Sequence, residues 1–451
     1  MNGTVSLTFV LDSSSKSTEV VGHVDNGCIF VDMEDGGLYI KSSVHPFYMP
    51  PHEWMRTTAG WLVRAAQITF ADGSRHLTPG YPTSYNGQWM RDGFYGITGL
   101  WNLTSAHMKQ DFADSAEWMF SHARSDGIMP QYCPPSGPCQ YGQLCNDTVG
   151  APDWQSCQDL DSAAFAIKLA HHIWSHLAPS KQTLFFKKWA YPLERGMNAT
   201  TSDPAGSGLL WSNTSRPMVG YGFQDTIQKS GVVLYSSILQ WNASRLMSAM
   251  AHGMGDVPSY VALATRMDLL SAQIKLSADR LLWSEKRGMF MAAAGGTEAD
   301  QVDVWANAMA GAIGFASHRQ SLSIFSFFKR EEKNIFFEGQ VREIALPSHW
   351  DLVGYWGNED PGQQKAAQAT VVEYQNGGYW ATPLHHVLPF LAMHDRAMAC
   401  RLLNDTIASF RSHGINEWVG SFYPANVAGA TGYIASAAGA FSASELLRCW
   451  V

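Results

Sequence analysis

Five acidic residues stand in loops built of aromatic, glycine and amide residues. They are Asp92 in "QWMRDGFYG", Asp161 in "QDLDSAAF", Asp225 in "VGYGFQDTIQKSG", Glu373 ahead of "YQNGGYWATPLHH", and Glu417 in "GINEWVGSFYP". Sugars are held by this combination, because aromatic faces stack on C–H faces while carboxylates and amides take the hydroxyls. Cutting a glycosidic bond then needs two carboxyl groups, one on each side of it. Each acid also has a plain structural use. Asp161 precedes an apolar helix and suits an N-cap. Asp225 with Gln228 spells a capping box. Asp92 has Arg91 beside it, or caps its own helix. Glu417 has the weakest structural use, since it follows a helix end, where cations rather than anions are favoured.

Other chemistries lack their signatures. The chain has no GxSxG elbow, no Walker loop and no HExxH. "GYGFQD" opens like a dinucleotide fingerprint but lacks the third glycine and a preceding strand. His171-His172 and His385-His386 are adjacent pairs, which a helix points about 100° apart rather than at one metal. No cofactor or metal is expected. The net charge of -8 argues against a nucleic-acid or anionic-membrane partner.

These loops must hang on something rigid. With 46% hydrophobic and 16% charged residues, the chain is globular and long enough for a large core. The first 75 or so residues read as strands: Val5, Leu7, Phe9 and Leu11 alternate with polar neighbours, and "CIFVDM" and "GLYIKS" follow. From about residue 90 the period is helical. Helices are expected at about 93–103, 106–123, 161–178, 180–195, 227–253, 257–283, 303–317, 319–332, 382–394, 396–413 and 430–447. Close to a dozen helices in pairs fit a mainly α toroid of six helical hairpins, (α/α)6, behind a short β-rich segment. "GVVLYSSILQW" (Gly231–Trp241), apolar all round, belongs to the inner ring. Binding loops gather at one end of such a ring.

Seven Asn-x-Ser/Thr acceptors, Asn2, Asn102, Asn146, Asn198, Asn213, Asn242 and Asn404, indicate a secreted or lumenal glycoprotein. Cys133, Cys139, Cys145 and Cys157 crowd one loop without the spacing of a zinc site, so two loop disulfides are expected; Cys400 and Cys449 could pair, leaving Cys28 over. "MNGTVSLTFVLDSSSK" has no basic n-region and too short an apolar run for a signal peptide, so the chain is expected to begin inside a longer precursor or to lack an upstream exon. No stretch reaches the length of a membrane span. A monomer is expected.

"QWMRDGFYGI", "YGFQDTIQKSG", "VDVWANAMAGAIG", "YQNGGYWATPLHH" and "GINEWVG" together resemble the six-hairpin glycosidases, the (α/α)6-barrel superfamily that includes trehalase, processing α-glucosidase, neutral invertase and α-L-rhamnosidase. The resemblance covers about residues 76–451 in order, and leaves 1–75 as the remnant of a larger β domain. It implies a glycoside hydrolase that inverts the anomeric centre of a terminal sugar, with Asp225 as general acid and Glu417 as general base. Arg91 and Asp92, paired to each other, would clamp sugar hydroxyls with Asp161, Gln224, Gln375 and Asn376. Trp89, Tyr221, Phe223, Tyr379, Trp380 and Trp418 would wall the pocket, and Arg342 is a further candidate for holding the sugar. A helix N-terminus favours the charged form of an Asp, which suits a base better than an acid, so the roles of Asp225 and Glu417 could be exchanged. A glycoside phosphorylase would need a cluster of cations facing the base. A polysaccharide lyase would need a Tyr or His base in a basic site, and a non-catalytic carbohydrate-binding protein would keep the pocket alone.

Overall fold

The structure is a computed structural model that describes residues 3–9, 18–25, 28–31, 38–40, 49–81, 85–141, 159–212, 230–296, 299–345, 348, 377–420 and 430–449; up to residue 40 it describes backbone only. Strands β1 (Gly3–Phe9), β2 (Thr18–Asp25), β3 (Cys28–Val31) and β4 (Leu38–Ile40) form an antiparallel meander. Twelve helices of nine residues or more follow among the described residues: α1 (Pro51–Ala65), α2 (Met90–Leu100), α3 (Ala106–Ser121), α4 (Ser162–Ser175), α5 (Pro179–Ala199), α6 (Leu234–His252), α7 (Pro258–Leu281), α8 (Val304–Ala312), α9 (His318–Arg330), α10 (Leu384–Ala392), α11 (Arg396–His413) and α12 (Ile434–Leu447).

The even-numbered helices close a ring. Helix α2 packs on α4, α4 on α6, α6 on α8, α8 on α10, α10 on α12, and α12 back on α2. The odd-numbered helices lie outside, each against one or both of its neighbours in the inner ring. This is the (α/α)6 toroid, and its inner helices are buried almost all round: Ile434 to Phe441 of α12 are buried without a break. Small residues let these helices close up. A Cβ at Gly439 would collide with the carbonyl of Ala381, in the loop before α10.

Helix α1 corrects the reading of residues 1–75 as strands. Met55, Ala59, Leu62 and Val63 make a helical stripe, buried against α12 and α11, and Pro51 at the first helical position starts it. It is the outer partner that a count of eleven helices lacked. The expected helix at 227–253 is also shorter. Before α6 begins, Gly231–Val233 forms a short strand between the strands Trp211–Ser212 and Ala293–Ala294.

Disulfides join Cys133 to Cys139 and Cys400 of α11 to Cys449 beyond α12. Cys145 and Cys157 lie outside the described residues. Among the described acceptor asparagines, Asn102, Asn198 and Asn404 are exposed and Asn242 is half-buried. No helix among the described residues is long and apolar enough to cross a membrane.

Candidate active site

Hairpin connectivity sets all six inner helices in the same direction, so their N-termini and the loops before them meet at one end. Residues from three of these loops, before α2, α4 and α12, form a polar cluster there with the first turn of α2.

The first comes from α2. Trp89 is extended, lies in a short strand (Gln88–Trp89) paired with Tyr132–Cys133, and turns the chain into the helix at Met90. Arg91 and Asp92 fall in the first turn, where Asp92 meets the positive end of the helix dipole. The two do not form the expected pair. Adjacent helix positions diverge by about 100°, and each finds another partner. The Arg91 guanidinium donates from one nitrogen to Asp159 (2.5 Å) and Asp161 (3.1 Å), whose carboxylates are wholly buried. Asp92 instead accepts from the Tyr433 hydroxyl at 2.6 Å. Burial opposes the charge on Arg91, yet the carboxylates of Asp159, Asp161 and Asp92 outweigh it and hold the guanidinium above its ordinary pKa.

Asp161 occupies the N-cap position of α4, but its side chain caps nothing; it is turned to Arg91, and its backbone N–H donates to Asp159 at 3.2 Å. The structural use that the sequence offered for Asp161 is therefore not the one adopted. By contrast, Asp303 at the N-cap of α8 does cap, accepting from Ala306 N–H at 2.8 Å.

Glu417 lies between α11 and α12. Gly414, at φ 84°, ends α11 in a conformation that favours glycine, and the chain then pairs with the approach to α12 through Glu417 N–H to Ala430 at 2.9 Å. The carboxylate is 6% exposed and accepts from the Tyr85 hydroxyl at 3.0 and 3.1 Å. Tyr85 and Tyr433 lie 6.1 Å apart by ring centroid. Burial raises the Tyr433 hydroxyl well above the ordinary phenol pKa, and the charges of Asp92 and Glu417 add to this. The adjoining phenols of Tyr85 and Tyr433 thus link the surroundings of Glu417 to those of Asp92.

Below this layer the ring interior stays polar. Tyr95 and Tyr235 hydroxyls lie 3.2 Å apart, and Tyr95 packs edge-on to His385 at 4.5 Å. Lys168 of α4 sits over the Phe94 ring at 4.4 Å. Burial pushes its pKa down to about 7, against a smaller opposing pull from Asp161. Burial likewise pushes His385 down to about 3 and His386 well below the ordinary value. Burial thus disfavours the charged form of both imidazoles.

The aromatic candidates divide. Trp89 is half-buried and sits with Tyr85 (5.3 Å) and Tyr132 (4.0 Å) as an aromatic wall beside Glu417. Trp380 and Trp418 are 1% and 3% exposed and belong to the hydrophobic core cluster, and Trp380 packs edge-on to Trp305. Tyr379, 4% exposed, faces Arg342. Asp225, Tyr221, Phe223, Gln224, Gln375 and Asn376 lie outside the described residues, as does Glu373.

Sequence reasoning passed over Asp159, Tyr85, Tyr433 and Lys168. Two of these carry a local signal: Asp159 is an acid two residues before Asp161, and Tyr85 an aromatic six before Arg91. Tyr433 has none, since its partner is 341 positions away. Among the described residues no group of three His, Cys, Asp or Glu could hold a metal.

The sequence matches no family profile and no curated protein. The fold does have matches among solved structures. A GH63 mannosylglycerate hydrolase from Thermus thermophilus, in complex with Tris, aligns over 86% of this chain and 99% of its own, with 14% identity and a TM-score of 0.60. An uncharacterized conserved protein from the same organism aligns over 86% and 99%, with 13% identity and a TM-score of 0.60. A metal-independent alpha mannosidase from Streptococcus pneumoniae aligns over 88% and 93%, with 12% identity and a TM-score of 0.57.

Proposed function

We propose that this chain is a glycoside hydrolase that removes a terminal sugar with inversion at the anomeric carbon. The observation that carries the reading is Glu417: a carboxylate in a loop at the N-terminal end of the inner ring, held by a phenol that packs against the half-buried Trp89, on a fold shared with glycosidases. In this reading Glu417 takes a proton from a water that attacks the anomeric carbon, while Asp225 gives a proton to the departing oxygen; the exchanged assignment uses the same two groups. The Arg91–Asp159–Asp161 cluster and Asp92 hold the sugar hydroxyls, and Tyr85 and Tyr433 keep the carboxylates oriented.

The test is a screen of aryl glycosides with proton-NMR readout of the first-formed anomer. Inversion of the anomer is expected, and a retained anomer or no turnover of any glycoside overturns the reading. An experimental structure is expected to place the carboxyl groups of Asp225 and Glu417 ~6.5–9.5 Å apart, the range that admits the attacking water.

A second reading, a glycoside phosphorylase, is favoured by one observation, the buried cation Arg342. It ranks behind hydrolysis because phosphate would be better met by a cluster of cations than by one. For compartment, the two disulfides and three exposed glycosylation acceptors support a secreted or lumenal glycoprotein. A monomer needing no cofactor completes the reading. Gel mobility before and after enzymatic deglycosylation, on protein from a secreting host, checks the glycans.

A further inference from the structure

Arg342 follows the short strand Gln340–Val341. Val341 pairs with Trp380, through hydrogen bonds of 2.9 and 3.0 Å, and Tyr379 pairs with Val419 at 2.9 Å each way. The register sets Arg342 opposite Tyr379, and its guanidinium lies 5.6 Å from that ring. Glu417 stands two residues before Val419. With strands spaced by about 4.8 Å, Arg342 and the strand that carries Glu417 are roughly 10 Å apart, within the span of one ligand.

The residue is 0% exposed, and none of its three guanidinium nitrogens has a hydrogen-bond partner among the described residues. Burial pulls its pKa below the ordinary value, against smaller opposing pulls from the Tyr379 phenol beside it. Burial alone accounts for a tryptophan such as Trp380. It does not account for a cation, whose desolvation is unfavourable until an opposite charge and hydrogen bonds compensate it. Four carboxylates of the site have other partners: Asp159 and Asp161 hold Arg91, Asp92 holds Tyr433, and Glu417 holds Tyr85. Sugar hydroxyls would satisfy the donors but leave the charge unmet. A planar guanidinium offers a fork of donors that matches two oxygens of one anion.

We propose that Arg342 is the oxyanion-binding group of the substrate site. It takes a carboxylate, phosphate or sulfate, brought as a substituent on the leaving group or as free inorganic phosphate. This rests on the glycosidase reading for the role of the site, though not for the binding itself. Where phosphate is the ligand, its oxygen bonds to the anomeric carbon as the glycosidic C–O bond breaks and the departing oxygen takes a proton.

The test begins with the wild-type protein at low ionic strength, titrated calorimetrically with glycolate, inorganic phosphate and inorganic sulfate. Saturable binding of at least one is expected. Arg342→Gln weakens that binding by about 10–100-fold, and Arg342→Lys, which keeps the charge but loses the fork, by less. With a sugar the enzyme turns over, the ratio of kcat/KM for a carboxyl-bearing aryl glycoside to that for a neutral one falls about tenfold in Arg342→Gln if the leaving group carries the anion. Release of sugar 1-phosphate by the wild type identifies phosphate instead. The proposal is overturned if no anion saturates the wild type, or if Arg342→Gln binds as the wild type does. Should the Gln variant not fold, the wild-type titration and the Lys variant decide. Failure of the glycosidase reading looks different: anion binding stays Arg342-dependent while no glycoside is turned over.

Discussion

The two sides of the site are built on opposite rules. On the side of α2 and α4, Arg91 is buried among three carboxylates and ion-paired to two of them, and each acid there has a named partner. On the side of the ladder that joins Val341, Trp380, Tyr379 and Val419, Arg342 is as deeply buried, lies against the Tyr379 ring, and has no carboxylate or other hydrogen-bond partner among the described residues. A buried charge that is matched fixes geometry; one that is unmatched has to be matched by something that arrives. The helix side is thus a rigid clamp, and the ladder side, which also carries Glu417, is where change occurs.

The sharpest way to break this division is Glu417→Gln. The amide keeps the shape and the Tyr85 contact but cannot take a proton, so kcat is expected to fall by about 10²–10⁴-fold while sugar binding, measured by calorimetry, persists. Equal turnover would remove the base from the ladder side. On the helix side, Arg91→Met leaves Asp159 and Asp161 buried without their cation, and a loss of about 3–5 kcal/mol in unfolding free energy is expected from denaturant titration. A neutral result there would mean the clamp is not what holds that side rigid.

Lys168 sharpens the comparison through pH. Its folded pKa of about 7 lies below the ordinary 10.5. Below pH 7 the proton is bound in both folded and unfolded chains, and the full penalty of burying it is present. From about 7 to 10.5 the unfolded chain holds a proton that the folded one has lost, so the stability contributed by this residue rises with pH. At about 1.4 kcal/mol per pKa unit, Lys168→Met is expected to raise the melting temperature clearly at pH 6, with the gain shrinking towards pH 10. A gain that does not depend on pH would show that the lysine titrates normally.

The smallest effects belong to the phenols that bridge the two sides. Tyr433→Phe removes a hydrogen bond to Asp92, expected at about 1.5–3 kcal/mol in transition-state stabilisation, with little change in melting temperature. Tyr85→Phe should shift the pH dependence of kcat/KM, since the carboxylate it holds is the proposed base. If Tyr433→Phe unfolds the protein instead, the bridge is structural.

What could be read from the residues was local. The helical period located eleven of the twelve described helices of nine residues or more, and runs such as "GVVLYSSILQW" placed one on the inner ring because an all-round apolar helix must be buried all round. Helix α1 escaped because its stripe lies in a segment that reads as strands on its N-terminal side. The position of Glu417 in an aromatic loop was visible too, because an acid has little structural use after a helix end.

Partnership was not local. Arg91 next to Asp92 suggested a pair, yet helix geometry separates neighbours and the toroid delivers Asp159 and Asp161 from another hairpin. Nothing in the chain announces that Tyr433 will reach Asp92, or that Val341, Tyr379 and Val419 will line up across one ladder. The order of residues determined which segments coil, which faces are buried and which loops carry charge, since these follow from periodicity and solvent transfer along a few turns. Closure of the ring alone decided which charge meets which, because ion pairing depends on distances in space that sequence separation does not encode.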